Sequence, residues 1–189
     1  LDALKRLRES GRKLILVTGR ELEDLLKTFD HVEVFDRVVA ENGALIYEPE
    51  TKEARTLAKP PSEEFVTELK KRGVHPVSVG HAIVATWEPH QNTVFRTIHD
   101  LGLELQVIFN KGAVMVLPTG INKATGLRQA LAELGLSLHN VVGTGDAEND
   151  HAFLTACRCG IAVSNALDSL KERVDFVTRG DHGKGVQEV

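Results

Sequence analysis

The stretch Gly143-Thr-Gly-Asp-Ala-Glu-Asn-Asp150 follows the short apolar run His139-Asn-Val-Val142, and its reading decides the fold. It sets three carboxylates (Asp146, Glu148 and Asp150), an amide and a flexible glycine turn at what reads as a strand end, Asn140 to Gly143, with a helix from Glu148 to Ala156 behind it. Asp146 lies at the turn and Asp150 four residues on, so both face one spot if the helix begins near Glu148. A hard cation needs oxygen ligands of this kind. Mg²⁺ usually takes one or two carboxylates and completes its octahedron with water and substrate phosphate. The stretch therefore points to Mg²⁺, with Asp146 and Asp150 at the metal, and to a phosphate-bearing substrate. An ordinary Asp-capped helix start has the same local pattern, so the rest of the chain must decide.

Upstream, the rhythm is helix, strand, helix, strand. Leu1 to Ser10 places Leu4 and Leu7 on one face and its charges on the other, and Gly11 ends it. Lys13 to Val17 is a β-rich apolar run, Thr18-Gly-Arg20 a turn, and Glu21 to Thr28 a helix with Leu22, Leu25 and Leu26 inward. Val38 to Ala40 and Ala44 to Tyr47 are strands around the turn Glu41-Asn-Gly43. Downstream the rhythm returns: a helix over Lys123 to Leu134, the strand and helix quoted above, a strand over Gly160 to Val163, a helix over Leu167 to Arg173, and a short strand over Asp175 to Thr178. Alternation of this kind predicts parallel βαβ units.

Between the two halves the pattern changes. A helix from Pro60-Pro-Ser62 to Arg72 precedes a hairpin, Val77–Val79 and Ala82–Trp87. A helix over Gln91 to Leu101 precedes a second hairpin, Leu105–Phe109 and Ala113–Leu117, around Asn110-Lys-Gly112. This is an α+β module with an antiparallel sheet. The expected organisation is a core made of residues 1–47 and 118–189, interrupted by a cap over 48–117, with Trp87 and Phe95 in the cap interior.

In an open α/β sheet, ligands bind at the carboxyl ends of the strands. Two polar clusters fall at such ends, Thr18-Gly-Arg20 and Asp146 to Asp150, and a third group, Lys123, starts the helix entered from the cap. Thr18 offers a hydroxyl and Gly19 an unhindered backbone N–H to an anionic oxygen. Lys123, opening the helix after Pro118-Thr-Gly120, offers a compact charge to a phosphoryl group in transfer. Asp146 holds the metal that masks the substrate's charge from an attacking anion. Singly, each is also a common turn or a solvated helix start; their order along the chain joins them.

In these motifs the chain resembles the haloacid dehalogenase superfamily of phosphohydrolases, in its Cof-like IIB branch. Thr18-Gly-Arg20 is similar to that family's second motif, Lys123 in Asn-Lys-Ala-Thr to its third, and Gly145-Asp-Ala-Glu-Asn-Asp150 to its fourth. Ala40-Glu-Asn-Gly-Ala-Leu-Ile46 resembles the entry into the cap, and Val163-Ser-Asn-Ala166 the loop after the fifth strand. The resemblance implies a Rossmann-like parallel-sheet core with an inserted α/β cap of the C2 type. It implies Thr18, Gly19, Lys123 and Asn149 on phosphate, Asp146 on Mg²⁺, and Asn149 and Asp150 supporting the site. The implied activity is hydrolysis of a small phosphomonoester, such as a sugar phosphate or phosphoglycolate. The short cap favours a small substrate.

The family's first strand ends in Asp-x-Asp. Its first aspartate attacks phosphorus to give an aspartyl-phosphate, and its second is general acid and base. No Asp-x-Asp occurs in this sequence. Loss of that central strand should leave unpaired edges on both neighbours. The expectation is a portion of a longer protein whose preceding strand carries the nucleophile. The alternatives are a non-catalytic module that binds phosphorylated ligands or proteins, or a chain that borrows the strand from a partner. A phosphomutase from the same superfamily needs the same aspartates.

Composition is compatible with all of these. The chain has 189 residues, 42% of them hydrophobic and 26% charged, with a net charge of −4, which suits a globular protein with no basic excess for nucleic acid. No apolar run reaches membrane-span length. Cys157 and Cys159 form C-x-C without further zinc ligands and read as reduced thiols beside a buried strand, which favours a cytoplasmic setting. The histidines lack metal-ligand spacing. His81 and His90 read as cap turn residues, and His182 is the histidine best placed to line the site mouth. Lys70-Lys-Arg72 is a helix end favourable to the dipole.

Overall fold

Leu14, Ile15, Leu16 and Val17 are flanked by the polar Arg12-Lys13 and by Thr18-Gly19, so this short segment pairs rather than coils. In the computed structural model, which describes residues 1–189, Ile15–Val17 is β1 and lies parallel to β2, Arg37–Ala40. Before β1 comes α1 (Asp2–Glu9), and between the strands α2 (Leu22–Thr28) buries Leu22 and Leu25. β2 turns back through Glu41–Gly43 into antiparallel β3 (Leu45–Glu48), and β3 into β4 (Glu53–Thr56), giving the sheet order β1-β2-β3-β4. The Val38–Ala40 and Ala44–Tyr47 segments, expected as strands around the turn Glu41-Asn-Gly43, form an antiparallel hairpin, because a three-residue turn cannot make a parallel crossover. One boundary changes. β4, which the expected boundary gave to the cap, belongs to the core sheet, so the first core segment reaches at least residue 56.

The inserted module has α3 (Glu63–Lys71), β5 (Ser78–Val79), β6 (Val84–Trp87), α4 (Gln91–Asp100), β7 (Leu105–Asn110) and β8 (Ala113–Pro118), with an antiparallel sheet in the order β5-β6-β8-β7. Ser62 caps α3 by accepting the Phe65 N–H. Phe65 and Leu69 of α3 and Val94 of α4 meet Val84, Val114 and Val116 of the sheet. Trp87 and Phe95 are not in this interior: they are 53% and 47% exposed. Strand alternation explains Trp87, since Val84 and Thr86 face the helices while Ala85 and Trp87 take the other face. On α4, Val94 and Thr97 point inward, which turns Phe95 outward beside Phe109.

The chain returns to the core through α5 (Lys123–Glu133), β9 (Val142–Gly145), α6 (His151–Ala156), β10 (Cys159–Ala162), α7 (Asp168–Lys171), β11 (Phe176–Val177) and α8 (His182–Glu188). β9, β10 and β11 are parallel, in the order β11-β10-β9. Helix α8 had no signal in the sequence, because Gly183 and Gly185 depress helix propensity. Close packing supports it: a Cβ on Gly185 would lie 2.5 Å from the Gly180 carbonyl oxygen, and the Glu188 carboxylate accepts the N–H groups of Arg179 and Gly180. Cys157 and Cys159 are free thiols. Burial pushes the Cys157 thiol up to about 11, as expected of an unreactive packing residue.

β1 and β9 are edges of separate sheets, yet both lean on one apolar cluster. Ile15 and Val17 from β1, and Val141 beside β9, pack against the cluster of Leu127, Leu131, Phe153 and Leu154 from α5 and α6. Val142 on β9 is 58% exposed. Both strands are thus sheet edges beside the same apolar cluster, and each offers unpaired backbone groups there.

Candidate active site

Each polar group that the sequence marks is delivered by a strand end or a helix start. Thr18-Gly19-Arg20 follows β1 and is stitched to the turn after β2: the Thr18 N–H donates to the Val39 carbonyl (2.8 Å), the Asn42 N–H to the Thr18 carbonyl (3.0 Å) and the Glu41 N–H to the Arg20 carbonyl (2.9 Å). Lys123 opens α5 because Asn122 forms a capping box, its side-chain Oδ1 accepting the Thr125 N–H while Thr125 Oγ1 accepts the Asn122 backbone N–H. Asp146 and Asp150 follow β9, where Asp150 Oδ2 accepts the N–H groups of Asp146 (2.9 Å) and Ala147 (3.0 Å).

Two glycines set the distance between these pieces. Gly43 has φ +104°, and a Cβ there would lie 2.0 Å from the Asn122 carbonyl oxygen; a Cβ on Gly126 would lie 2.7 Å from the Gly43 Cα. The start of α5 therefore sits directly on the 41–43 turn, which fixes Lys123 relative to Thr18. Gly43→Ala is expected to cost on the order of 3 kcal/mol, from left-handed strain plus a backbone clash that flexible side chains cannot relieve. Urea unfolding measures this. A loss under 1 kcal/mol would mean the contact is loose.

The Lys123 side chain is 8% exposed and its ammonium is shared between Asp150 Oδ1 (2.6 Å) and Asn149 Oδ1 (3.0 Å). The Asn149 amide then donates to Asn42 Oδ1 (2.9 Å), and the Asn149 amide nitrogen lies 3.2 Å from where a Cβ on Gly19 would sit. One connected floor runs Gly19, Asn149, Lys123, Asp150, Asp146. The structure thus brings together all six residues expected at the site: Thr18, Gly19, Lys123, Asp146, Asn149 and Asp150. Asp150 differs from Asp146 in its surroundings. Both Asp150 oxygens already have partners within the protein, whereas Asp146 Oδ2 has one, the Lys111 ammonium at 2.7 Å. Asp146 holds that ammonium above the usual lysine range.

Mg²⁺ fits these residues. Asp146 presents a partly exposed carboxylate oxygen that is already engaged by a cation, and its neighbours offer oxygen donors rather than sulfur or imidazole.

Two residues at the site escaped the sequence reading. Asn42 is 1% exposed, has φ +55°, and its Nδ2 is buried without a partner. An orphaned donor of that kind beside Gly19 suits a ligand oxygen. The signal was present in Glu41-Asn-Gly43, a turn between two apolar strands, but it read only as the way into the cap. In the sequence Lys111 is one residue of the turn Asn110-Lys-Gly112, and no local pattern says which core residue a hairpin tip will touch.

The cap is bonded to the core near the site. Glu41, fully buried, accepts the N–H groups of His81 (2.9 Å), Ala82 (2.7 Å) and Ile83 (3.1 Å), and burial raises its carboxyl above the usual range. His81 Nε2 also meets Glu23 Oε1 at 2.6 Å. His81 is therefore a cap turn residue that bridges to α2. His182 pairs only with Asn165, through its N–H at 2.7 Å and its ring at 3.2 Å, and joins none of the groups above.

Comparison with known proteins agrees with this architecture. A model of haloacid dehalogenase-like hydrolases matches residues 1–101 and 103–189. The chain is 31% identical over 199 residues to a phosphoglycolate phosphatase of Methanothermobacter thermautotrophicus, covering 100% of this chain and 87% of that protein. It is 26% identical to a phosphoglycolate phosphatase of Methanobrevibacter smithii, covering 100% and 86%. Among solved structures, a haloacid dehalogenase-like hydrolase from Bacteroides thetaiotaomicron superposes with a TM-score of 0.82 at 18% identity, covering 99% of this chain and 88% of the other. A subclass IIB sugar phosphatase superposes at 0.80 and 18%, covering 99% and 87%, which gives the fold independently of sequence.

Proposed function

This chain belongs to the haloacid dehalogenase-like hydrolase family, and on that premise we propose that it acts as a Mg²⁺-dependent phosphatase of a small phosphate monoester, of the phosphoglycolate kind, by way of an aspartyl-phosphate. The observation that carries the reading is the convergence of Thr18-Gly19, Lys123 with Asn149, and Asp146 at the carboxyl ends of two parallel strands. Thr18 Oγ1 and the Gly19 N–H bind the phosphate oxygens. Lys123 holds its charge toward them, kept in place by Asp150 and Asn149. Asp146 would hold Mg²⁺, while Asp150 organises the loop from behind by accepting the backbone N–H groups of Asp146 and Ala147. When bound, Mg²⁺ neutralises phosphate charge and so lowers the barrier to an anionic attacker.

The attacking carboxylate belongs on a strand between β1 and β9, and the two unpaired edges beside one apolar cluster support that placement. A strand added there ends beside Thr18 and Asp146, within reach of a phosphate held by Thr18 and Gly19. Met115 and Lys111 of the cap overlie the same region and limit the room for the leaving group.

The test uses protein in which the proposed nucleophile-bearing strand is present. Phosphate release from 2-phosphoglycolate should require Mg²⁺ and stop on adding EDTA. Tight binding without release would favour the non-catalytic module instead, and release unaffected by EDTA would overturn the metal's part.

A further inference from the structure

We propose that Lys111 selects the substrate: it is the cap-borne cation that pairs with a second anionic group, a carboxylate close to the phosphate ester, and so makes the enzyme prefer phosphoglycolate-like esters to uncharged ones. The inference rests on the phosphatase reading above and goes further by naming the group that reads the leaving half of the substrate.

Lys111 and Gly112 form the tip of the β7–β8 hairpin with φ +49° and +83°, a tight turn of fixed geometry. The tip touches the core at the metal loop twice. The Lys111 N–H donates to Glu148 Oε2 at 3.3 Å, and Nζ reaches Asp146 Oδ2 at 2.7 Å. The other cations near the floor have other tasks: Lys123, fixed by Asp150, faces the proposed phosphate position, and Arg20 pairs with Asp24 at 2.5 Å. Over Gly19 the cap presents the Met115 sulfur, 3.6 Å from where a Cβ would sit, a surface with no charge to offer. A phosphate on the floor therefore has an apolar cap surface on one side and Lys111 on the other.

Asp146 cannot serve a divalent ion and an ammonium on the same oxygen without strong like-charge repulsion. Once Asp146 ligates Mg²⁺, Lys111 loses its partner, and its 61%-exposed side chain on a four-carbon stem is able to turn toward the substrate. A carboxylate two bonds from the ester oxygen gives it a charge-assisted partner at that point, while a neutral ester leaves it unpaired.

Intact wild-type, Lys111→Gln and Lys111→Arg proteins are compared on 2-phosphoglycolate and on ethyl phosphate, which is of similar size and lacks the carboxylate. The ratio of the two kcat/KM values is read within each preparation, so loss of folded protein cancels. The wild type is expected to favour phosphoglycolate, and Lys111→Gln to lower that ratio by roughly 30- to 100-fold, the worth of a charge-assisted contact in a closed site. Lys111→Arg should keep most of the preference. Calorimetric titration with Mg²⁺ alone, a readout free of turnover, should show Lys111→Gln binding the ion several-fold more tightly, because the competing ammonium is gone. An unchanged ratio in Lys111→Gln, or unchanged Mg²⁺ affinity, overturns the proposal while leaving the phosphatase reading standing. A wild type that hydrolyses neither ester sinks the phosphatase reading, and the inference falls with it.

Discussion

Asp146→Asn is expected to reduce Mg²⁺-dependent phosphate release by on the order of 10³-fold or more, with little effect on folding. The two halves of this expectation have different origins. The side chain is 32% exposed and its only partner is Lys111, itself 61% exposed. Pairs of this kind contribute about 0–1 kcal/mol. The loop around Asp146 is shaped by its backbone N–H, which binds Asp150 and is untouched by the substitution. Asparagine keeps the size and one oxygen but removes the charge that a hard cation requires. The variant should therefore melt within a few degrees of wild type, bind Mg²⁺ weakly and release almost no phosphate. Full activity in a folded Asp146→Asn protein would remove the metal assignment.

Lys123→Met has the second large effect, and it falls on stability as well as turnover. The Lys123 and Asp150 side chains are 8% and 6% exposed, with 2.6 Å between charged atoms. Removing one member of a buried pair leaves the other charge uncompensated, which costs about 3–5 kcal/mol. Methionine fills the volume, so a cavity does not enter. The same change removes the positive charge proposed to face the phosphate, and turnover should fall on the order of 10²- to 10³-fold beyond the loss of folded protein. The double variant Lys123→Met/Asp150→Asn separates the two roles. Neutralising Asp150 should recover about half or more of the lost stability, because its amide oxygen can still accept a loop N–H, yet recover no activity. If the double variant regained activity, Lys123 would be a structural counter-ion only.

Much of the core and the floor of the site was legible from the sequence because the governing signals are local. Apolar runs of three to five residues next to Thr-Gly or Gly-Asp mark strand ends, and side chains that follow strand ends share one rim of a parallel sheet. Thr18 and Asp146 stand out in that way, and Lys123 as the start of the helix that leaves the cap. The placement of β4 on the core sheet does not, since a short strand carries no sign of which sheet it will join. At Trp87 and Phe95 bulk and hydrophobicity suggest burial, but the register of strand and helix turns both outward. Helix α8 was hidden by two glycines whose value lies in tertiary contact rather than propensity. Asn42 and Lys111 needed the structure. One is buried by a turn that packs under α5, and the other crosses from a hairpin tip to the metal loop, 35 residues away in sequence.

Asp150 refines the first expectation drawn from Gly143–Asp150. Four-residue spacing does bring both carboxylates to one end of β9. Yet the amides of Asp146 and Ala147 and the Lys123 ammonium together take up the oxygens of Asp150. The physical division of labour is therefore between one carboxylate open to a cation and one that shapes the loop and holds the lysine.

The most direct measurement is a crystal structure of the protein grown with Mg²⁺ and phosphate. The account predicts one phosphate within hydrogen-bonding distance of Thr18 Oγ1, the Gly19 N–H and Lys123 Nζ, and one Mg²⁺ joining that phosphate to an Asp146 carboxylate oxygen, with Lys111 moved off Asp146. A phosphate and a metal bound apart from each other, or a metal that avoids Asp146, would contradict it.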